Sequence, residues 1–178
     1  PNRVSRDGDL IQKLEAILDN SNFKEFLKKR VKGALKLHHE FRVSVSDCPN
    51  ACSRPQIADI GIIAATTPTL SPVECSGCGE CVKVCQEEAI TLLEDPPKPQ
   101  IDFTKCLHCV QCARHCPTGA LIEGSNGYRI IVGGKLGRRP QLGAELASIF
   151  SREQVLDQVQ KIIDFHMMNN VRGERLGE

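Results

Sequence analysis

The sequence has no tryptophan, one tyrosine and two methionines, and aromatic residues make up 4% of its 178 positions. That leaves few flat rings for a base-stacking surface. Neither charge is in excess, since 23 Lys and Arg face 22 Asp and Glu for a net charge of +1. No bulk attraction to nucleic acid follows from such a balance. Long apolar runs are missing as well: none approaches the roughly 20 residues of a membrane-spanning helix. Nothing resembles a signal peptide, so the expectation is a cytoplasmic protein with no membrane span.

What the chain does have is ten cysteines. Disulfides in a secreted protein and metal-bound thiolates in a reducing compartment both produce such a count, and spacing separates them. Residues 75 to 85 read CSGCGECVKVC, and residues 106 to 116 read CLHCVQCARHC. Both are C-x2-C-x2-C-x3-C. In such a run the first three thiolates wrap one iron–sulfur cubane, while the fourth, on the helix that follows, reaches the other cluster. Cys75, Cys78, Cys81 and Cys116 are therefore expected to hold one 4Fe–4S cluster, and Cys106, Cys109, Cys112 and Cys85 the other. Zinc needs only four ligands, and disulfides cannot pair so many near neighbours. Gly77 and Gly79 suit the tight first loop. Pro117 follows Cys116 as the ferredoxin pattern expects, whereas Gln86 follows Cys85. This segment resembles bacterial two-cluster ferredoxins over about fifty residues. His108 and His115 lie within the second run, and a surface or hydrogen-bonding role is expected for each, since ligation would be superfluous.

The flanking sequence has a different texture. Leu10, Ile11, Leu14, Ile17 and Leu18 recur at helical spacing. Asn20-Ser21-Asn22 should stop that helix and cap a second, whose apolar face is Phe23, Phe26, Leu27, Val31, Ala34 and Leu35. Phe41, Val43 and Val45 alternate with polar residues, as in a strand facing one core. Asp59 to Ala65 reads as a buried strand, and Tyr128, Ile130 and Val132 as another, ending at Gly133-Gly134. Ser151 and Gln154 fit a capping box opening a last helix on Val155, Leu156, Val159, Ile162 and Ile163. An α+β fold is expected, with a half-domain over 1–70 and 124–178 interrupted by a ferredoxin-like insert over 71–123. Within the insert, 89–92 should form a short strand turned back at Pro96-Pro97. Ile90, Leu92, Ile101, Leu121 and Ile122 should pack around the clusters.

Cys48 and Cys52 stand outside the regular runs. Alone, C-x3-C fits two buried thiols or a disulfide as readily as a ligand pair. However, CPNAC followed by ADIG resembles part of the siroheme and iron–sulfur signature of the sulfite and nitrite reductases. The resemblance extends through the insert, as in dissimilatory and anaerobic sulfite reductases, then GGKLGRRP at 133–140 and ERLG at 174–177. It implies a siroheme-reductase-type α/β half-domain. It also implies that Cys48 and Cys52 are the second of two cysteine pairs on a third 4Fe–4S cluster, with Cys52 bridging to siroheme. The first pair, C-x5-C, is not found before Cys48; Ser5-Arg6-Asp7-Gly8 resembles the segment just after it. Either that pair lies upstream of Pro1, or the third cluster is lacking. The family's N-terminal half would be supplied by a further segment or a partner subunit. Asn50 lies within the motif. Arg54, Lys135, Arg138 and Arg139 are candidates for siroheme carboxylates or for a sulfite or nitrite anion, and a solvated surface is the alternative for each.

Two functions follow from the resemblance. In one, the clusters relay electrons from a donor protein to a cluster–siroheme centre for six-electron reduction of sulfite or nitrite. In the other, the chain is a non-catalytic electron carrier on a degenerate reductase scaffold.

Overall fold

The computed structural model describes residues 8–178, without the side chain of Leu37. Ser5, Arg6 and Asp7 lie outside the described residues. The chain divides into two compact units, with the dividing points after Ala64 and Asn126. These points fall inside two long strands, β2 (Ile60–Leu70) and β5 (Leu121–Val132). Both strands are longer than the sequence suggests, because their outer halves alternate polar and small residues rather than continuing the apolar run.

In the larger unit, α1 (Gly8–Asn20) buries Leu10 and Leu14, and α2 (Phe23–Arg30) buries Phe23 and Leu27. The expected second helix is shorter than its apolar pattern. It stops at Arg30 because Val31 turns extended at φ −84° and ψ 127°, leaving Val31, Ala34 and Leu35 outside it. Asn22 does not cap α2 with its side chain; it sits in the left-handed region at φ 51°. The strand β1 (Val43–Ser46) pairs in parallel with β2, Val43 opposite Ile60 and Ser46 opposite Ile63. The sheet order is β1-β2-β5-β6, with β6 at Ala144–Glu145 antiparallel to β5. At the edge, Val43 and Val45 are only half-buried, while Ser46 is buried. Phe41 lies outside the strand and packs against Phe23 instead. A final helix, here α5 (Arg152–Asn169), opens on the capping box of Ser151 and Gln154 and packs against α1. It buries Val155, Val159 and Ile163, and burial of each such side chain stabilises the fold by about 1.5–3 kcal/mol.

The smaller unit holds both cysteine runs. Its two short helices are α3 (Glu80–Val84) and α4 (Gln111–Arg114). The hairpin of β3 (Ile90–Glu94) and β4 (Pro97–Ile101) turns at Asp95-Pro96. Ile90 and Leu121 pack with Cys81 and Cys112 in one buried group, flanked by Val84, Cys85, Ile101, Ala113 and Cys116. Leu92 is only half-buried, and Ile122 is exposed. For Ile122 the period of two gives the reason: on a strand, the residue beside buried Leu121 points the other way. Among the described residues, no helix is long and apolar enough to cross a membrane.

Candidate metal centre

The two cysteine runs share more than spacing. Gly77 and Gly79 sit in the left-handed region at φ 71° and 73°, and His108 and Val110, the matching residues of the second run, repeat it at 56° and 53°. Each run then enters its short helix, leaves it at Cys85 or at His115, just before Cys116, and takes another positive φ at Glu88 or Gly119. The same local fold thus occurs twice. In each first loop the amide two residues on donates to the leading sulfur: Gly77 N to Cys75 Sγ and His108 N to Cys106 Sγ, both at 3.4 Å. The fourth cysteines are served likewise, by Ala89 N to Cys85 Sγ at 3.3 Å and Leu121 N to Cys116 Sγ at 3.4 Å. Amides aimed at sulfur favour the thiolate, the form that binds metal.

Burial and neighbouring thiolates act together on the two most buried thiols. Burial pushes the Cys112 thiol up to about 12, and the charges of Cys106, Cys109 and Cys85 push the same way. Burial also raises Cys81, with Cys75 and Cys116 adding to it. Cys85, from the first run, thus acts on Cys112 of the second, and Cys116, from the second, on Cys81 of the first. Burial alone would raise Cys116 too, but hydrogen bonds from the Leu121 amide, the Thr118 hydroxyl and the amides of Thr118 and Gly119 outweigh it and hold this thiol below its ordinary value. Thiolates that repel one another are costly to hold together until cations neutralise them. All ten cysteines are free thiols. Among the described residues, no three His, Cys, Asp or Glu side chains close to the spacing of one metal ion.

The two histidines of the second run are engaged. The backbone carbonyl of His108 accepts from Thr66 N at 2.9 Å, and its ring stacks on Phe103 at 5.8 Å. Nδ1 of His115 lies 2.9 Å from the Gln111 carbonyl.

In the larger unit, Cys48 is half-buried and Cys52 exposed, in the loop that leaves edge strand β1. Ser53 stitches this loop to the strand: its hydroxyl donates to Val45 O at 2.8 Å and lies 2.5 Å from the Ser46 hydroxyl. Asn50 and Arg54 are exposed. Behind the loop, the ADIG aspartate, Asp59, is fully buried and receives Arg175 of ERLG in a two-point ion pair. The glycine pair after β5 serves the chain itself. Gly133 makes the strand-ending turn at φ 81°, and a Cβ on Gly134 would meet Gln56 O at 2.3 Å.

A cavity of about 860 Å³ in this unit is lined by Lys135, Arg138, Arg172, Arg175, His38 and His39, among others. Lys135 also faces Glu178 at 3.6 Å. Arg139 is exposed and does not line it. Sequence alone points to Lys135 and Arg138 but not to Arg172, Arg175 and the two histidines. These lie in segments without periodicity, and no local spacing joins them to Lys135 and Arg138.

Comparison with known proteins gives the family. The nitrite and sulphite reductase 4Fe-4S domain family matches residues 12–178. Coenzyme F420-dependent sulfite reductase of Methanocaldococcus jannaschii is 33% identical over 125 residues, covering 70% of this chain and 20% of that protein. A subunit of the anaerobic sulfite reductase of Salmonella typhimurium is 34% identical over 55 residues, 31% of this chain and 16% of that one. The chain thus matches a fifth or less of the length of these relatives. The crystal structure of dissimilatory sulfite reductase I shares the fold with a TM-score of 0.50 at 22% identity, over 78% of this chain and 39% of that chain. With the family match running from Gln12 to the last residue, this chain belongs to the nitrite and sulphite reductase 4Fe-4S domain family.

Proposed function

We propose that this chain is an electron-relay and cofactor-holding part of a siroheme sulfite or nitrite reductase. The observation that carries the proposal is the loop fold that occurs twice with backbone amides aimed at sulfur, and it supports two sets of thiols, Cys85 with Cys106, Cys109 and Cys112, and Cys116 with Cys75 and Cys81. Each set, with Cys78 completing the second, would hold one 4Fe–4S cluster. Such a cluster, when bound, stores and passes one electron at a time. The chain's own residues do the rest. Amides of Gly77, His108, Ala89 and Leu121 donate to sulfur and so favour added negative charge. Ile90, Leu121, Val84 and Ile101 keep water from the buried sulfurs. Cys48 and Cys52 would supply half the ligands of a third cluster, with Cys52 turned toward siroheme. Lys135, Arg138, Arg139, Arg54 and Asn50 would hold carboxylates or the substrate anion. The remaining ligands and much of the anion site would come from another segment or a partner subunit, and the electrons from a donor protein. Sulfite or nitrite would be the substrate, taking six electrons.

Iron and acid-labile sulfide should be counted on anaerobically purified protein, with its visible spectrum recorded. About eight of each from the two runs supports the relay. Stoichiometric zinc, or no iron, overturns it.

A second reading, a non-catalytic electron carrier, draws on one observation. Cys48 and Cys52 are the only cysteines of this sequence outside the two runs, and two thiolates leave two corners of a cubane unheld. On either reading the 178-residue chain alone should hold no siroheme, with Cys48 and Cys52 free or oxidised to each other. In the intact protein or complex, extractable siroheme supports the reductase, and its lack supports the carrier.

A further inference from the structure

We infer that the two proposed clusters are not equivalent, and that the one on Cys75, Cys78, Cys81 and Cys116 is the port at which a donor with a basic rim delivers electrons. The inference rests on the two-cluster reading and deepens it, by assigning a direction within the smaller unit.

The two loops have the same backbone but different cover. In the second, the left-handed positions carry His108 and Val110, and Val110 is 1% exposed. No cysteine of that set is exposed. Thr66 bonds the His108 carbonyl, and Phe103 lies over the His108 ring. In the first loop the same positions are Gly77 and Gly79, and Cys78 is exposed. A Cβ on Gly79 would meet nothing within 4 Å, and one on Gly77 only the ring of Pro97 at 3.4 Å. Backbone need alone does not explain these glycines. A histidine and a β-branched valine adopt the same φ in the second run, at a cost of about 1–3 kcal/mol each. What the glycines add is thin cover over sulfur. Electron tunnelling falls steeply with distance, so a missing layer of side chains marks a preferred point of exchange.

A recess sits beside this loop. A cavity of about 410 Å³ is lined by Cys75 together with Val73, Glu74, Pro96, Pro97 and Lys98, among others. It lets a partner's edge approach Cys75 itself. The unit's larger apolar cavity, of about 530 Å³ beside Leu93 and Phe103, has no cysteine in its lining.

Charge indicates the partner. Residues 65–126 carry eight acidic and four basic side chains, whereas the whole chain is close to neutral. Around the first run stand Glu74, Glu80, Glu87 and Glu88, against two bases, Lys83, tied to Glu80 at 2.7 Å, and Lys98 in the lining of the recess. Four thiolates add to this negative field. A donor with a basic rim is drawn to such a face, and an anionic one is repelled. In the step itself one electron leaves the donor and one enters the cluster. No atom moves.

The test uses full-length protein carrying its clusters and follows their bleaching in stopped flow with two one-electron reductants, the methyl viologen radical cation and dithionite. Gly79→Val should slow reduction by both several-fold with the iron content retained. Lys105→Glu and Lys105→Gln, at the second run, should leave the rates nearly unchanged. The double variant Glu74→Lys with Glu87→Lys alters only exposed side chains, so it bypasses any failure of Gly79→Val to assemble. It should slow the cationic reductant about tenfold and speed the anionic one. Unchanged rates in an iron-replete Gly79→Val or in the charge-reversed double variant overturn the port, as does a larger effect of the second-run variants. Wild-type protein without iron overturns the two-cluster reading instead.

Discussion

Arg175 grips Asp59 at two points: Nη2 donates to Oδ2 at 2.7 Å and Nε to Oδ1 at 3.2 Å. The carboxylate also accepts the backbone amide of Arg42 at 2.9 Å, just before β1. The Arg175 guanidinium reaches the Gly134 carbonyl as well, at 3.4 Å. One ion pair therefore joins the start of β1, the start of β2, the turn after β5 and the C-terminal tail. Asp59 is 0% exposed, so the pair sits away from solvent screening.

Breaking this pair should be costly in a way that removing it is not. Arg175→Leu or Asp59→Asn leaves a buried partner uncompensated and should lower stability by about 3–5 kcal/mol. The double variant should lose clearly less than the sum. Urea midpoints of the four proteins give the answer, and strict additivity would show that the two groups do not act together.

Crossed ligation makes a second expectation. Cys85→Ser should disturb the signal of the cluster built on Cys106, Cys109 and Cys112, and Cys116→Ser that of the cluster on Cys75, Cys78 and Cys81. Electron paramagnetic resonance of the reduced variants distinguishes the two. If each substitution damages the cluster of its own run, the pairing is wrong.

Acid should loosen the larger unit through His166. Burial holds its pKa below the ordinary 6.5, against the opposing pull of Asp59 and Glu174. Its ring packs on Phe23 and Phe41, and its Nε2 accepts from Asn170 Nδ2 at 3.2 Å, an acceptor lost on protonation. A depressed histidine pKa means that the unfolded chain binds the proton more readily. The neutral ring's contribution is complete above the unfolded value and is lost as pH falls from about 6.5 toward the folded value. Stability from urea unfolding should therefore drop between about pH 7.5 and pH 5, and His166→Phe should flatten that part of the profile. An unchanged slope in the variant would assign the acid sensitivity elsewhere.

Packing around the sulfurs should set cluster lifetime. Leu121→Ala removes a side chain that is 1% exposed and packs with Cys81 and Cys112. A loss of about 2–5 kcal/mol is expected, with faster bleaching in air. Ile122→Ala, one residue on and exposed, should change neither.

The likeness of the two cysteine runs is legible in the sequence because its information is local: the same spacing gives the same loop and short helix twice. The last helix is legible for the same reason, since Ser151, Gln154 and the apolar stripe are neighbours. The tie between Asp59 and Arg175 is not. ADIG and ERLG are both fragments of one resemblance, but 116 positions separate the two residues and no local rule joins them. The second helix reads too long from sequence, because Val31 and a left-handed Gly33 outweigh an apolar pattern that continues past Arg30. Ile122 is an apolar residue beside a cluster motif, which suggests packing, yet strand alternation sends it outward. The cavity with Lys135, Arg138, Arg172 and Arg175 needs the fold, since it gathers residues that the chain keeps apart.

The most direct measurement is an anomalous difference map at the iron edge, from crystals of the intact protein grown without oxygen. The account expects two cubanes in the smaller unit, one bonded to Cys75, Cys78, Cys81 and Cys116, the other to Cys106, Cys109, Cys112 and Cys85. Two cubanes each closed by a single run, or a lone zinc ion in their place, would contradict it.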